Sequence, residues 1–561
     1  MRGVTWMSVA PALGLFGLLA LACKGGGESA AAAPGSASAS GSAGALPSAS
    51  AASARLAGAL PSAARSNGNG NGPLPTAAPS APLSLPAELT TPLPNAVPAL
   101  KEAVTAFTHQ ISEYGGHLGV AILDTGTGEL LAAQNDHRPL NPASTAKLFT
   151  AATALSVLHG SYRFETGLYG EAKGGSATKL VLRGHGDPSL VTQDLWDMVQ
   201  DLKAMGVKRV EGDILVDQRF FDDSFVPPAF EQQPNEWAYF RAPVSALALN
   251  SNTVRMTVRP TSAESPALVA FDPPGFVDID GAVKTAAEGT PQNVRLELAA
   301  NGGRLTAHLG GVIAEKDHPI GFTRRADDPR LLAGYAMKAL LHSAGIAVEG
   351  GPQLGGESAK SLLVLHRSRP LSQILYELGK DSDNFYAEMV LKTLGAEQKG
   401  RPGKSADGAE VVVKYLREIG AFEEGMIVKN GSGLFDANRV TASGTVKLLR
   451  AAYRDPAISS EFVGQLAIGG VDGTLHKRFR ELRDKRILRA KTGTLEATSA
   501  LAGYVMGPPG KAPLAFAIVV NDVAGKVAGT RAAMDKLIDA IVKHASRSEA
   551  RASETRASPR N

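Results

Sequence analysis

The chain has 561 residues, 44% of them hydrophobic and 20% charged, which excludes a single-motif peptide, a wholly disordered polymer and a polytopic membrane protein. Lys and Arg number 58 against 54 Asp and Glu; a net charge of +4 over this length builds no phosphate-tracking surface, so no nucleic acid is expected as a partner. One cysteine, Cys23, excludes an internal disulfide and a thiolate metal cluster, each of which needs at least two.

In chain order, Met1-Arg2-Gly3 and a mostly apolar run from Val9 to Ala22 have the basic start and short apolar centre of a secretory signal, residues 1–22. Leu19-Ala20-Leu21-Ala22-Cys23 resembles a bacterial lipobox, with Ala20 where that motif usually has Leu. The resemblance implies cleavage before Cys23, diacylglycerol on its sulfur and an acylated new amino terminus. Several acyl chains anchor a protein stably to a bacterial membrane where one binds only marginally. The other reading is an ordinary signal peptide with an incidental cysteine. On either, the protein is exported to the periplasm or cell envelope. From Ser29 to Ala87 the chain is dominated by Ala, Ser, Gly, Pro and Asn, with only Arg55 and Arg65 charged. It cannot bury enough apolar surface to fold, so 23–94 reads as a lipidated Cys and a disordered tether.

Order begins near Pro98, where Leu100, Val104, Phe107 and Ile111 share a helical face that stops at Gly115-Gly116. His117 to Asp124 and Glu129 to Gln134 are apolar runs joined by Thr125-Gly126-Thr127-Gly128, which predicts a hairpin. A buried helix follows from near Ser144, with its stripe at Leu148, Ala151 or Ala152, and Leu155. Short β-type stretches then predict an inserted β-rich accessory region at 163–324, with one helical run near Leu195 to Met205. Helical periodicity returns in DPRLLAGYAMKALLHSAG, PLSQILYELGKDSDNFYAEMVLKTLG, ADGAEVVVKYLREIG and TASGTVKLLRAAYRD. ILRAKTGTLEATSALAGYVM and APLAFAIVVND read as strands ahead of a closing helix, AAMDKLIDAIVKHA. The outer segments, 95–162 and 325–545, read as one α/β (α+β) domain split by the insert, and 546–561 as a disordered tail short of apolar residues.

Three short motifs carry chemistry. Ser144-Thr145-Ala146-Lys147 sets a hydroxyl and an amine one turn apart at a helix start, where the amine can take the hydroxyl's proton. Ser-x-x-Lys arises by chance about once or twice in such a chain. Ser176-Ala177-Thr178-Lys179 is such a case, expected as a solvated turn after Gly174-Gly175. Ser382-Asp383-Asn384 supplies a second hydroxyl and a carboxamide, or else caps a helix. Lys491-Thr492-Gly493-Thr494 offers a cation, two hydroxyls and a glycine that admits another backbone; its plainer reading is a charge on an edge strand. Together and in this order they form the set found in β-lactamases and penicillin-binding proteins.

Over nearly all of residues 95–545 the sequence resembles the D-alanyl-D-alanine carboxypeptidase/endopeptidase family of class C low-molecular-mass penicillin-binding proteins. LRGHGDPSL at Leu182, GDILVDQRFFDD at Gly212, APVSALALNSNTV at Ala242, NGSGLFDANRVTA at Asn430 and GGVDGTL at Gly469 look like family landmarks, with His185 where a third glycine is expected. The first two motifs stand 238 residues apart, from Ser144 to Ser382, and the family is known for accessory β-rich domains there. The resemblance implies a penicillin-binding transpeptidase/β-lactamase-like serine hydrolase domain acting on peptidoglycan stem peptides, inhibited covalently by β-lactams, with no cofactor and no metal. It implies Ser144 as nucleophile and Lys147 as base. Burial and a nearby cation, for which Lys491 is the candidate, would keep that amine neutral. Ser382 would relay a proton, and Asn384 would orient Lys147 and hold the substrate amide. The strand Lys491-Thr492-Gly493-Thr494 would receive the terminal carboxylate, and the backbone N–H groups of Ser144 and Thr494 would form the oxyanion hole. Two other functions stay open. A β-lactamase is disfavoured by Ala246, which precedes Leu249-Asn250 where class A enzymes carry glutamate; the other is a catalytically inactive wall-binding lipoprotein. The 11 histidines show no His-Glu-x-x-His pairing, which argues against a zinc peptidase.

Overall fold

The computed structural model describes residues 97–232, 238–356 and 359–557; the signal, Cys23 and the tether lie outside the described residues. Six antiparallel strands form the sheet that carries the rest, in the order Ala467–Ile468, Leu488–Leu495, Thr498–Val505, Leu514–Asn521, His117–Asp124 and Leu130–Gln134. Thr498–Val505 is buried along its whole length and Leu514–Asn521 in all but its last residue, because helices cover both faces. Phe516, Ile518 and Val520 face the terminal helices Pro98–Glu113 and Val527–Ala557. Ala515 and Ala517 face the other layer, where small side chains let helices approach closely. Helix Pro98–Glu113 buries Leu100, Val104, Phe107 and Ile111, as their spacing predicts. Each such side chain contributes about 1.5–3 kcal/mol when fully buried.

The second layer packs Leu371–Gly379, Asn384–Gln398, Ser405–Glu418 and Ala442–Arg454 around Lys147–Leu158. Residues 147–155 of that central helix are all buried, so it lacks the polar face of a surface helix.

A second sheet grows from the hairpin Glu165–Lys173 and Ser176–Gly184. It adds Arg209–Glu211, Ile214–Asp217, Ala347–Val348, Pro352–Leu354 and Leu362–Arg367. Three smaller sheets are built from strands between Thr253 and Arg325. The inserted region therefore runs on to Arg367 and does not stop at 324: Leu362–Arg367 pairs antiparallel with Glu165–Lys173. Helix Leu332–Ser343, expected in the outer domain, packs Ala333, Ala336, Met337 and Leu341 with Leu195, Met198, Val199 and Leu202 of helix Thr192–Ala204. An apolar stripe announces that a helix packs and is silent about its partner.

The closing helix also runs past its expected end, through 546–557. Ala, Arg and Glu favour helix even without an apolar stripe. Residues 558–561 lie outside the described residues.

The insert grips the helix that starts at Asn384. Phe220, Phe221, Val244 and Ala248 pack on Phe385 and Met389. Buried Lys392 donates to the Ser224 carbonyl at 2.9 Å and pairs with Asp222 at 2.5 Å.

Candidate active site

Asn141 shapes the turn that presents Ser144. Its Oδ1 accepts from the Ala143 N–H at 2.9 Å, and its Nδ2 donates to the Phe435 carbonyl and Asp436 Oδ1 at 3.1 and 3.0 Å. Ala143 is held at φ +46°, a left-handed conformation that costs a non-glycine residue about 1–2 kcal/mol. Residues Ala143–Ala146 form a 3₁₀ turn ahead of the α-helix, where the sequence predicts the helix itself. In a 3₁₀ turn, side chains three apart eclipse. Lys147 Nζ accordingly lies 3.0 Å from Ser144 Oγ.

Lys147 is fully buried, and its amine also donates to Asn384 Oδ1 and to the Ser432 carbonyl, both at 2.7 Å. Those two oxygens can only accept. Only the contact with Ser144 can reverse, so once the amine loses a proton its lone pair faces the Ser144 hydroxyl. Burial lowers Lys147 to about 7, against Glu388 and Asp383, which raise it.

Lys491 is also fully buried and donates to Ser382 Oγ at 2.7 Å and to the Thr492 carbonyl at 2.9 Å. Burial and then repulsion from Lys147 hold it well below an ordinary lysine, with Asp381 opposing. Burial lowers both amines, and each disfavours a charge on the other. The edge-strand reading is half right. Among the described residues, Ala467–Ile468 pairs with Arg489 and Ala490 and no strand pairs on that side from Lys491 onward, so the strand edge is open there, but the cation is buried and not solvated. Gly493 abuts the turn that bears Ser144: a Cβ there would stand 2.7 Å from the Pro142 carbonyl oxygen. Thr492 Oγ1 donates to Thr474 Oγ1 at 2.8 Å, and Thr494 Oγ1 accepts from Arg531 at 2.8 Å.

Capping and site membership coexist in the middle motif, one residue apart. Asp383 caps the helix by accepting from the Tyr386 N–H at 3.0 Å, and Ser382 before it is held left-handed at φ +64°. Asn384 Nδ2 donates to the Phe240 carbonyl of the insert at 3.2 Å, which turns the amide oxygen to Lys147. Ser144, Lys147 and Asn384 are therefore joined directly by hydrogen bonds, and Ser382 is bonded to Lys491.

Sequence reasoning missed Glu388 and Ser432. Glu388 is buried and accepts from the Ser432 and Gly431 N–H groups at 2.8 and 3.1 Å, fixing the loop whose carbonyl receives Lys147. A carboxylate four residues after Asn384, on the same helical face, was the available signal. The second Ser-x-x-Lys begins strand Ser176–Gly184 and is not a turn. Residues three apart on a strand face opposite ways. Ser176 Oγ donates to Glu211 Oε1 at 2.6 Å, while exposed Lys179 reaches Glu171 at 3.7 Å. Among the described residues, no three His, Cys, Asp or Glu side chains are grouped to hold a metal ion.

The sequence model of the D-Ala-D-Ala carboxypeptidase 3 (S13) family matches residues 100–541. A D-alanyl-D-alanine carboxypeptidase of Actinomadura sp. (strain R39) is 34% identical over 445 residues, covering 76% of this chain and 81% of that one. D-alanyl-D-alanine carboxypeptidase DacB of Haemophilus influenzae is 24% identical over 431 residues, covering 74% and 88%. Penicillin binding protein 4 (dacB) from Haemophilus influenzae has the same fold, with a TM-score of 0.63 at 24% identity, over 77% of this chain and 97% of that one. That protein is also known complexed with a β-lactam.

Proposed function

Because the chain belongs to the D-Ala-D-Ala carboxypeptidase 3 (S13) family, we propose that it is a serine D-Ala-D-Ala carboxypeptidase and DD-endopeptidase acting on peptidoglycan stem peptides. Ser144 Oγ attacks the carbonyl carbon between two D-residues as its proton passes to Lys147 Nζ. The oxyanion that develops lies between the backbone N–H groups of Ser144 and Thr494. Collapse breaks the C–N bond, and the proton held on Lys147 is relayed by Ser382, itself bonded to Lys491, to the departing amine, which leaves Lys147 neutral again. D-alanine leaves from a stem terminus, and a cross-linked amine leaves from a bridge. Water then attacks the ester carbonyl, Lys147 takes its proton, and Ser144 recovers its own. Asn384 orients Lys147 and holds the substrate amide, while Lys491, Thr492 and Thr494 receive the carboxylate. β-Lactams follow the same route as far as the ester.

The observation that carries this reading is the buried Lys147 amine, whose one reversible hydrogen bond is to Ser144. The test is labelling of the purified protein with a fluorescent penicillin, together with D-alanine release from a pentapeptide. Wild-type protein should do both. Ser144→Ala should do neither, and an unchanged label in that variant would falsify the assignment.

On the same proposal, the mature protein works in the cell envelope, anchored through acylated Cys23, with 23–94 as the tether between anchor and catalytic body. The lipobox-like run and the tether composition support this. A clickable fatty acid should enter the wild-type chain and not Cys23→Ala; equal incorporation in both would reject the anchor.

A further inference from the structure

Arg531 stands near the start of closing helix Val527–Ala557, and its guanidinium donates to Thr494 Oγ1 at 2.8 Å. The place is unfavourable for a cation. Burial lowers Arg531, Arg478 repels it, and Asp535, which opposes both, is itself bonded to Arg478. The positive end of the helix dipole adds to the cost. This half-buried charge adjoins the open strand edge that begins at Lys491.

A hydroxyl that accepts from a guanidinium keeps its own proton for another acceptor. Thr492 and Thr494 share the face of the strand that looks to the closing helix, opposite the face of Lys491 and Gly493. A carboxylate received there would meet the Thr494 O–H with the Arg531 charge directly behind it.

Building on the serine reaction above, we propose that Arg531 is a positioning residue for the carboxylate of the leaving group, supplying its counter-charge and fixing the Thr494 hydroxyl as a donor toward it. The test uses full-length protein and two D-alanyl thioesters whose leaving group carries either a carboxylate or a carboxamide. Thioesters are reactive enough for both to be turned over measurably. Wild-type protein should prefer the carboxylate. Arg531→Gln should lose about ten- to a hundredfold of that preference, chiefly in KM, on the scale of one hydrogen bond to a charged group. Arg531→Lys should restore part of it.

An unchanged preference in Arg531→Gln, or equal loss on both thioesters, overturns the proposal while leaving the serine reaction standing. Wild-type protein that turns over neither thioester overturns the serine reaction and this proposal with it.

Discussion

Gly493→Ala tests whether the strand bearing Lys491 must lie against the turn bearing Ser144. Gly493 is not left-handed, so an added methyl has only space to contend with. Its Cβ would stand 2.7 Å from the Pro142 oxygen, 3.1 Å from Ala500 Cβ and 3.2 Å from Ala143 Cβ. A carbon–oxygen contact relaxes at about 3.3–3.6 Å, so strand and turn would have to part by roughly 0.6 Å or more. Neither yields freely. The Pro142 carbonyl already accepts from Thr145 Oγ1 at 2.8 Å and from the Thr145 N–H at 3.2 Å, and the strand is paired along its length to Thr498–Val505. Overpacking of this kind costs about 1–3 kcal/mol of stability. A displacement of that size between reacting groups costs on the order of ten- to a hundredfold in rate. Thermal unfolding reads the first effect, and the time course of labelling by a fluorescent penicillin reads the second. Wild-type labelling kinetics in a variant with lowered Tm would refute the argument, because strand and turn would have separated without consequence.

With Lys147 at about 7, kcat/KM for D-alanine release should rise with pH and level off above about 7, since only the neutral amine takes the Ser144 proton. Glu388→Gln removes a charge that raises Lys147, so this limb should move to lower pH; an unmoved limb would contradict the electrostatic link. Burial pushes Glu423 up, but hydrogen bonds from Lys447, Thr441, Ser443 and His137 outweigh it and hold the carboxyl at about 2, below its ordinary 4.5. A lowered folded pKa gives stability that is complete above the unfolded value and lost as pH falls toward the folded one. Glu423→Gln should therefore unfold at lower urea near pH 7 and vary less between about pH 4.5 and 2, and a wild-type pH slope would count against it. Asn250 is tied by its side chain to Thr192 in the insert, so the Leu249-Asn250 pair supplies no deacylating group. The penicilloyl adduct should persist, and rapid turnover of a chromogenic cephalosporin would reverse that.

What was legible in the sequence was local. The face made by Leu100, Val104, Phe107 and Ile111 needs only four residues at helical spacing, and each catalytic motif concentrates its chemistry in three or four positions. The backbone that makes those motifs work was not legible. Ala143 and Ser382 are left-handed without the glycine that would mark such a conformation; Ala143 is held by Asn141, which is itself bonded to Phe435 and Asp436, and Ser382 is bonded to Lys491. The insert boundary at Arg367 depends on pairing with a strand about two hundred positions earlier, which no local pattern encodes. Glu388, Ser432 and Arg531 act through contacts that exist only once three segments have converged.

The two buried amines each serve a different serine of the site. Lys147 holds one serine and Lys491 the other, so each hydroxyl has its own proton partner. Two buried ammonium groups that face each other's charge repel, and their protons leave in steps that belong to the pair. Relief comes either from losing a proton, which frees Lys147 to accept from Ser144, or from gaining an anion beside Lys491. On the proposed reading, a substrate ending in a carboxylate brings that negative charge to the open strand edge, on the strand face opposite the Lys491 side chain, and so favours a charged Lys491 while Lys147 serves as base. Recognition of the carboxylate and activation of the nucleophile are then two outcomes of one electrostatic arrangement, which explains why burial is as necessary to the site as the identity of its side chains.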